Sequence, residues 1–270
     1  MSMEARVPLY GDPGHWIHVS QSPRQVRVTF SGETIADSKQ VKLLREAGVL
    51  PVYYFPPEDV CKKFLRETQQ KSRCPYKGEA SYWTVRIGDN VADNAAWTYF
   101  TPLPEAEGLR GFFAFEWNKM DAWYEEDEEV FVHPRDPYKR VDVLQSKRHV
   151  VVRIAGDIVA DTRRPRVLFE TNHPVRYYIF PEDIRMDLLE ASATKSRCPY
   201  KGRADYWSVR VRERLFKDLV WGYMEPIPEC PKIKGLLCFF QERGAEIYVD
   251  DERIATPKTK WATVAEPNEA

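Results

Sequence analysis

Apolar and polar residues alternate along most of this chain, and the same alternation occurs twice. Val26, Val28 and Phe30 share one side of a short run, with Arg27 and Thr29 on the other. Ser31-Gly32 then offers a turn and Thr34-Ile35-Ala36 leads back, which predicts a β-hairpin. Val150 to Ile154, Ala155-Gly156 and Ile158-Val159-Ala160 repeat that plan. Val52 to Phe55 and Arg176 to Ile179 read as short strands. Pro57 at a first helical position, followed by Glu58 and Asp59, predicts one short helix in each copy. Val60 and Phe64, like Ile184 and Leu188, then face the core. From Tyr82 to Ile87 the period is two: Trp83, Val85 and Ile87 on one face, Tyr82, Thr84 and Arg86 on the other. Trp207, Val209 and Val211 stand against Tyr206, Ser208 and Arg210 in the second copy. Further strands carry Trp97 with Tyr99, Trp221 with Tyr223, Gly111 to Phe115 and Gly235 to Phe239, with Tyr124 and Tyr248 near the last.

The recurrence has a fixed spacing. Lys71-Ser72-Arg73-Cys74-Pro75-Tyr76-Lys77-Gly78 returns unchanged as Lys195-Ser196-Arg197-Cys198-Pro199-Tyr200-Lys201-Gly202, an offset of 124 residues. Without a gap, that offset also pairs Glu46 with Glu170, Tyr53-Tyr54 with Tyr177-Tyr178, Trp97 with Trp221 and Tyr99 with Tyr223. A repeat this long is a whole domain rather than a solenoid unit. The expected organisation is an irregular N-terminal arm (1–21), a first repeat (22–140), a second repeat (141–261) and a loose polar tail (262–270). The proline-rich connector from His133 to Tyr138 reads as extended. The fold class is mainly β with a minor α+β component.

Charge and composition then narrow the function. In 270 residues, 40 Lys and Arg face 41 Asp and Glu, which leaves no surplus of cations for a nucleic-acid backbone. No stretch has the length of a bilayer span, and Met1 to Arg6 lack the plan of a secretory signal, so a cytoplasmic protein is expected. Cys61, Cys74, Cys198, Cys230 and Cys238 are odd in number and contain no CxxC pair, so neither a disulfide scaffold nor a thiolate zinc site is expected. His133 and His173 lack metal-ligand spacing, and no metal or cofactor is expected. No GxxxxGK[ST], HExxH, GxSxG or strand-borne GxGxxG occurs.

The cysteine-to-glycine bend is the first candidate site. Pro75 and Gly78 bend the backbone so that Cys74, Tyr76 and Lys77 can converge, as Cys198, Tyr200 and Lys201 can in the second copy. A thiol beside Lys77 and Arg73 suits a nucleophile, and a sheltered lysine suits a base or a Schiff base. The competing reading is a packed cysteine and tyrosine with a lysine closing the loop. Tyr54, Tyr82, Trp97 and Tyr99, echoed by Tyr178, Tyr206, Trp221 and Tyr223, form either a ligand wall or a core. Glu46 and Glu170 follow apolar runs and either reach a pocket cation or face solvent. Asp59 and Asp183 read as first-turn helix charges, and Glu125 to Glu129 as a solvated turn.

CPYKG-x-A-x-YW, preceded by YYFPxED-type sequence and followed by WxYxxPxPE, resembles the Domain of Unknown Function 427 family in both copies. Cys74 to Trp83 and Cys198 to Trp207 carry the core, with Trp97 to Glu105 and Trp221 to Glu229 after it. The resemblance implies two tandem β-tent-like modules, each with small antiparallel sheets meeting at an angle around a cavity. It implies that Cys74, Tyr76, Lys77, Tyr82, Trp97, Tyr99 and their equivalents line that cavity. Relatives of the fold bind small ligands; the cysteine-ligated zinc of some does not carry over without CxxC pairs. A nucleotidyltransferase-like label attached to the family finds neither a paired Asp motif nor a phosphate loop here.

Three functions follow. The first is a small-molecule-binding protein with an aromatic and lysine-lined pocket in each repeat, taking a partly apolar ligand that bears an acid or a carbonyl. The second is an enzyme of the isomerase, cyclase or dehydratase type, with Cys198, Lys201, Tyr206, Cys74, Lys77 or Tyr82 in catalysis. The third is a non-catalytic interaction module. Glu79 against Arg203 and Asn90 against Arg214 make the second copy the more cationic, and so the better suited to an acidic ligand.

Overall fold

A computed structural model describes residues 14–259 and residue 261. The chain is mainly β, and its described residues form two compact units that divide between Asp136 and Pro137. The division falls within the proline-rich connector. Residues 1–13 of the expected arm and 262–270 of the expected tail lie outside the described residues.

The first unit holds eleven strands: β1 (Ile17–Gln21), β2 (Val26–Phe30), β3 (Glu33–Ser38), β4 (Lys42–Glu46), β5 (Val52–Tyr54), β6 (Leu65–Cys74), β7 (Gly78–Ile87), β8 (Asn90–Thr98), β9 (Phe113–Phe115), β10 (Ala122–Glu125) and β11 (Glu128–Val130). They form three antiparallel sheets, ordered β1-β4-β5, β11-β10-β2-β3 and β6-β7-β8-β9. The second unit repeats them as β12 (Val141–Gln145), β13 (Val150–Ile154), β14 (Asp157–Thr162), β15 (Arg166–Glu170), β16 (Arg176–Tyr178), β17 (Leu189–Cys198), β18 (Gly202–Val211), β19 (Arg214–Gly222), β20 (Leu237–Phe239), β21 (Glu246–Val249) and β22 (Glu252–Arg253). Its sheets run β12-β15-β16, β14-β13-β21-β22 and β17-β18-β19-β20, the same order strand for strand.

Local chemistry accounts for these elements. Ser31 and Gly32 both take positive φ, 51° and 76°, the mirror-image turn whose twist suits a two-residue hairpin; Ala155 and Gly156 do the same. Trp83 and Val85 of β7 are buried with Val26 and Val28 of β2, Ile35 of β3 and Trp123 of β10. The opposite face of β7 carries Tyr82, which packs with Trp97 against Leu44, Tyr54 and Tyr99. The sheet β6-β7-β8-β9 thus has a core on each side. In the second unit the corresponding residues merge into one continuous cluster.

Three expectations are corrected. Residues 17–21 are not an irregular arm but strand β1, paired along its length with β4, with Val19 packed over Gly108. The short helix at Pro57 is a single 3-10 turn, Pro57–Asp59, followed by another at Lys62–Phe64. It cannot lengthen because Val60 bridges to Ala36 and the Cys61 N–H donates to the Ile35 carbonyl at 2.8 Å. Pro181–Asp183, Met186–Leu188 and the Ala160–Ile184 bridge repeat that arrangement. Val60 and Ile184 still reach the core. The acidic run is not wholly solvated either: Glu126 and Asp127 turn in solvent, but Glu125 is buried, where it accepts from the Tyr53 hydroxyl at 2.7 Å and from Arg24 at 2.6 Å.

Candidate functional site

The repeated bend is a hairpin loop. β6 ends at Cys74, β7 starts at Gly78, and the two residues pair across the ladder, leaving Pro75, Tyr76 and Lys77 in the loop. Gly78 sits at φ 96°, and a side chain there would meet the Thr101 carbonyl oxygen at 3.2 Å. The Leu103 N–H donates to the Lys77 carbonyl at 3.2 Å. Gly202 at φ 103° lies as tightly on Glu225–Ile227, and the Ile227 N–H donates to the Lys201 carbonyl at 3.1 Å. Glycine is required twice over, for its φ and for this close approach. The contact also explains why the CPYKG and Pro-x-Pro-Glu segments occur together.

The loop aims its lysine inward. Lys77 Nζ donates to Glu46 Oε2 of β4, and these side chains are only 12% and 6% exposed. Lys201 Nζ donates to Glu170 Oε2 of β15, at 10% and 5% exposure. Around each pair stand the aromatics. Trp97 Nε1 donates to the Tyr54 hydroxyl at 3.1 Å, and Trp221 Nε1 to the Tyr178 hydroxyl at 3.3 Å. The Tyr82 and Ser72 hydroxyls share a hydrogen bond at 2.7 Å, those of Tyr206 and Ser196 one at 2.8 Å. Burial pushes the Tyr54, Tyr99, Tyr178 and Tyr223 phenols above their ordinary range, so they stay protonated donors. Cys74, Lys77, Tyr82 and Trp97 are half-buried, while Tyr76 is exposed. The bend is therefore neither sealed in the core nor free in solvent. An open depression of about 330 Å³ in this unit lies elsewhere, at Phe30, Ser31, Asn90, Val91 and Asp121.

The second site keeps this frame with different neighbours. Lys139 Nζ lies 2.9 Å from Glu170 Oε1 and 5.0 Å from the centre of the Tyr200 ring. The residue 124 positions earlier is His15, with Nε2 3.4 Å from Glu46 Oε1 and its ring stacked on Tyr76 at 3.3 Å. Phe240 covers Trp221, with centroids 4.0 Å apart, and stacks on Tyr206; its counterpart in the first unit is the exposed Glu116. Trp221 is buried where Trp97 is half-buried. Behind Trp221, Arg176 pairs with the fully buried Glu242 carboxylate. Trp261 lies 5.5 Å from His173.

In the second pair, neighbouring charges outweigh burial at both groups. Burial alone would raise Glu170, but the charges of Lys201, His173 and Lys139 with the Lys201 hydrogen bond hold it at about 2. Burial would lower Lys201, but Cys198 and Glu170 outweigh it and keep the ammonium. A lysine so held is poorly suited to act as a base or to form a Schiff base. Cys230, beside this cluster, is pushed up to about 11 by burial and is a thiol rather than a thiolate.

Every residue read as a candidate from the repeat thus falls in or beside one cluster per unit. Of the two alternatives open for Glu46 and Glu170, the structure shows the carboxylate reaching a cation: both are buried and paired with the bend lysines. Their retention at the fixed offset was the available signal. His15, Lys139 and Phe240 carried none, because the residue type changes between copies. Asp59 and Asp183 do more than favour a helix end: they accept from Ser38 at 2.5 Å and Thr162 at 2.7 Å, tying each turn to its hairpin. Among the described residues no group of three or more His, Cys, Asp or Glu is placed to hold a metal, and no helix is long and apolar enough to cross a membrane.

No curated protein matches the chain. A family model described as Domain of unknown function (DUF427) matches residues 18–126 and again 142–251, one match to each unit and each taking in a bend, its buried lysine–glutamate pair and its aromatic set. With most of its length accounted for in those two segments, the chain belongs to the DUF427 family.

Proposed function

We propose that this protein binds a small molecule, partly apolar and bearing an acid or a carbonyl, at the bend of each unit. The first site would use Tyr54, Cys74, Tyr76, Lys77, Tyr82, Trp97 and Tyr99. The second would use Tyr178, Cys198, Tyr200, Lys201, Tyr206, Trp221 and Tyr223. One observation carries the reading: a buried ion pair beside half-open aromatics recurs in both units, where apolar packing would serve stability as well or better. Groups held in unusual environments at the edge of the core are characteristic of sites. Tyrosine hydroxyls and an ammonium supply donors for a carbonyl or carboxylate, and the indole and phenol rings supply apolar contact.

The test is a set of small aromatic and aliphatic acids, aldehydes and ketones, read by thermal shift and tryptophan fluorescence. Members of the set are expected to raise the melting temperature of the full chain, and Lys77→Met and Lys201→Met to lose that response. The reading is overturned if no member shifts the protein and the double replacement of Lys77 by Met with Glu46 by Leu is less stable than the parent, which would give the pair a structural role instead.

A further inference from the structure

The two sites differ at one position in a way that changes their charge. In each, the carboxylate is held from both sides. Lys77 takes Oε2 of Glu46 while His15 faces Oε1; Lys201 takes Oε2 of Glu170 while Lys139 faces Oε1. His15 and Lys139 stand at the 124-residue offset and each lies on the ring of the bend tyrosine, Tyr76 or Tyr200. The second site therefore has two ammonium groups against one carboxylate. His173 adds no charge at neutral pH, since burial, with Lys139 and Lys201 nearby, lowers it despite Glu170. An uncompensated cation in a sheltered site is costly unless an anion joins it. The first site has one ammonium and one carboxylate, with an imidazole where the second site has its second ammonium.

We infer that residue 15/139 sets ligand class: the second site takes the anionic form of an acid, with Lys139 as its contact, and the first a neutral carbonyl compound. This rests on the binding reading above. Benzoate and benzamide, alike in shape and different in charge, are the probes, titrated calorimetrically into the full chain at pH 8. Benzoate is expected to bind one site per chain. Lys139→Met should weaken it at least tenfold without changing benzamide, and Lys139→Arg should retain it. Folding is protected in the methionine variant because Glu170 keeps Lys201. His15→Lys should raise benzoate stoichiometry from one to two. Benzoate binding indifferent to residue 139, or a stoichiometry unchanged by His15→Lys, overturns the charge assignment and leaves the binding reading intact. Failure of both probes to bind any variant overturns the charge assignment, while the binding reading is decided by the wider set of acids, aldehydes and ketones.

Discussion

The two bends are identical over eight residues and stand in the same hairpin, yet their surroundings have gone separate ways. In the first unit Trp97 is half-buried and Glu46 is shared between a lysine and a histidine. In the second, Phe240 covers Trp221 and Glu170 is shared between two lysines. What stayed constant is what the bend itself dictates: the glycine against the proline segment, the inward lysine, the hydroxyl pairs. What changed lies on strands and loops that approach the bend from elsewhere. A copied frame fixes where the bend sits, and its neighbours set its charge and exposure.

The sharpest way to break this comparison is to remove the carboxylates. Glu170→Leu strands two ammonium groups and should cost about 3–5 kcal/mol. Glu46→Leu strands one and should cost less, with hydrogen exchange reading each unit separately. Equal losses would mean that Lys139 adds no electrostatic demand. Next, Phe240→Ala should cost about 3 kcal/mol and admit a soluble quencher to Trp221, making the second aromatic face resemble the first. Unchanged quenching would show that Phe240 is not the cover.

Acid titration sharpens the contrast further. Glu170 titrates lower in the folded protein than its ordinary 4.5, so its contribution is present above that value and lost as pH falls toward about 2. The stability gap between the parent and Glu170→Gln should narrow across that window, as followed by urea midpoints. A gap constant with pH would remove the ion-pair explanation. Gly78→Ala and Gly202→Ala should each cost about 1–3 kcal/mol, alike in the two units, because backbone geometry rather than neighbours sets the penalty. Smallest are Ser72→Ala and Ser196→Ala, exposed hydroxyl partners whose loss should fall within about 0.5 kcal/mol.

How much of this was legible in the chain depended on how local the cause was. The Ser31-Gly32 turn, the period of Tyr82 to Ile87 and the bend at Gly78 are written in adjacent residues and were read from them. The helix at Pro57 was over-read because Val60 and Cys61 are claimed by β3, a contact that helix signals near Pro57 do not register. β1 was missed because its pattern is short and its partner, β4, supplies the evidence. The burial of Glu46 follows from a lysine 31 residues away, and charge alone looks the same on a surface and in a pair. Phe240 was silent because nothing about a phenylalanine tells which aromatic it will cover.

One feature of the topology bears on how such a chain comes to be folded. In each unit the second strand lies beside the tenth, so Val28 meets Trp123 and Val152 meets Ile247. The sheet that closes a unit is completed only when nearly a hundred intervening residues have been arranged. Contacts this distant along the chain slow the search for the native state, since loop entropy must be spent before they form. During synthesis each unit stays open until its final strands emerge, and a chain cut short before β10 or β21 would expose β2 or β13 as a bare edge, ready to pair with the wrong neighbour.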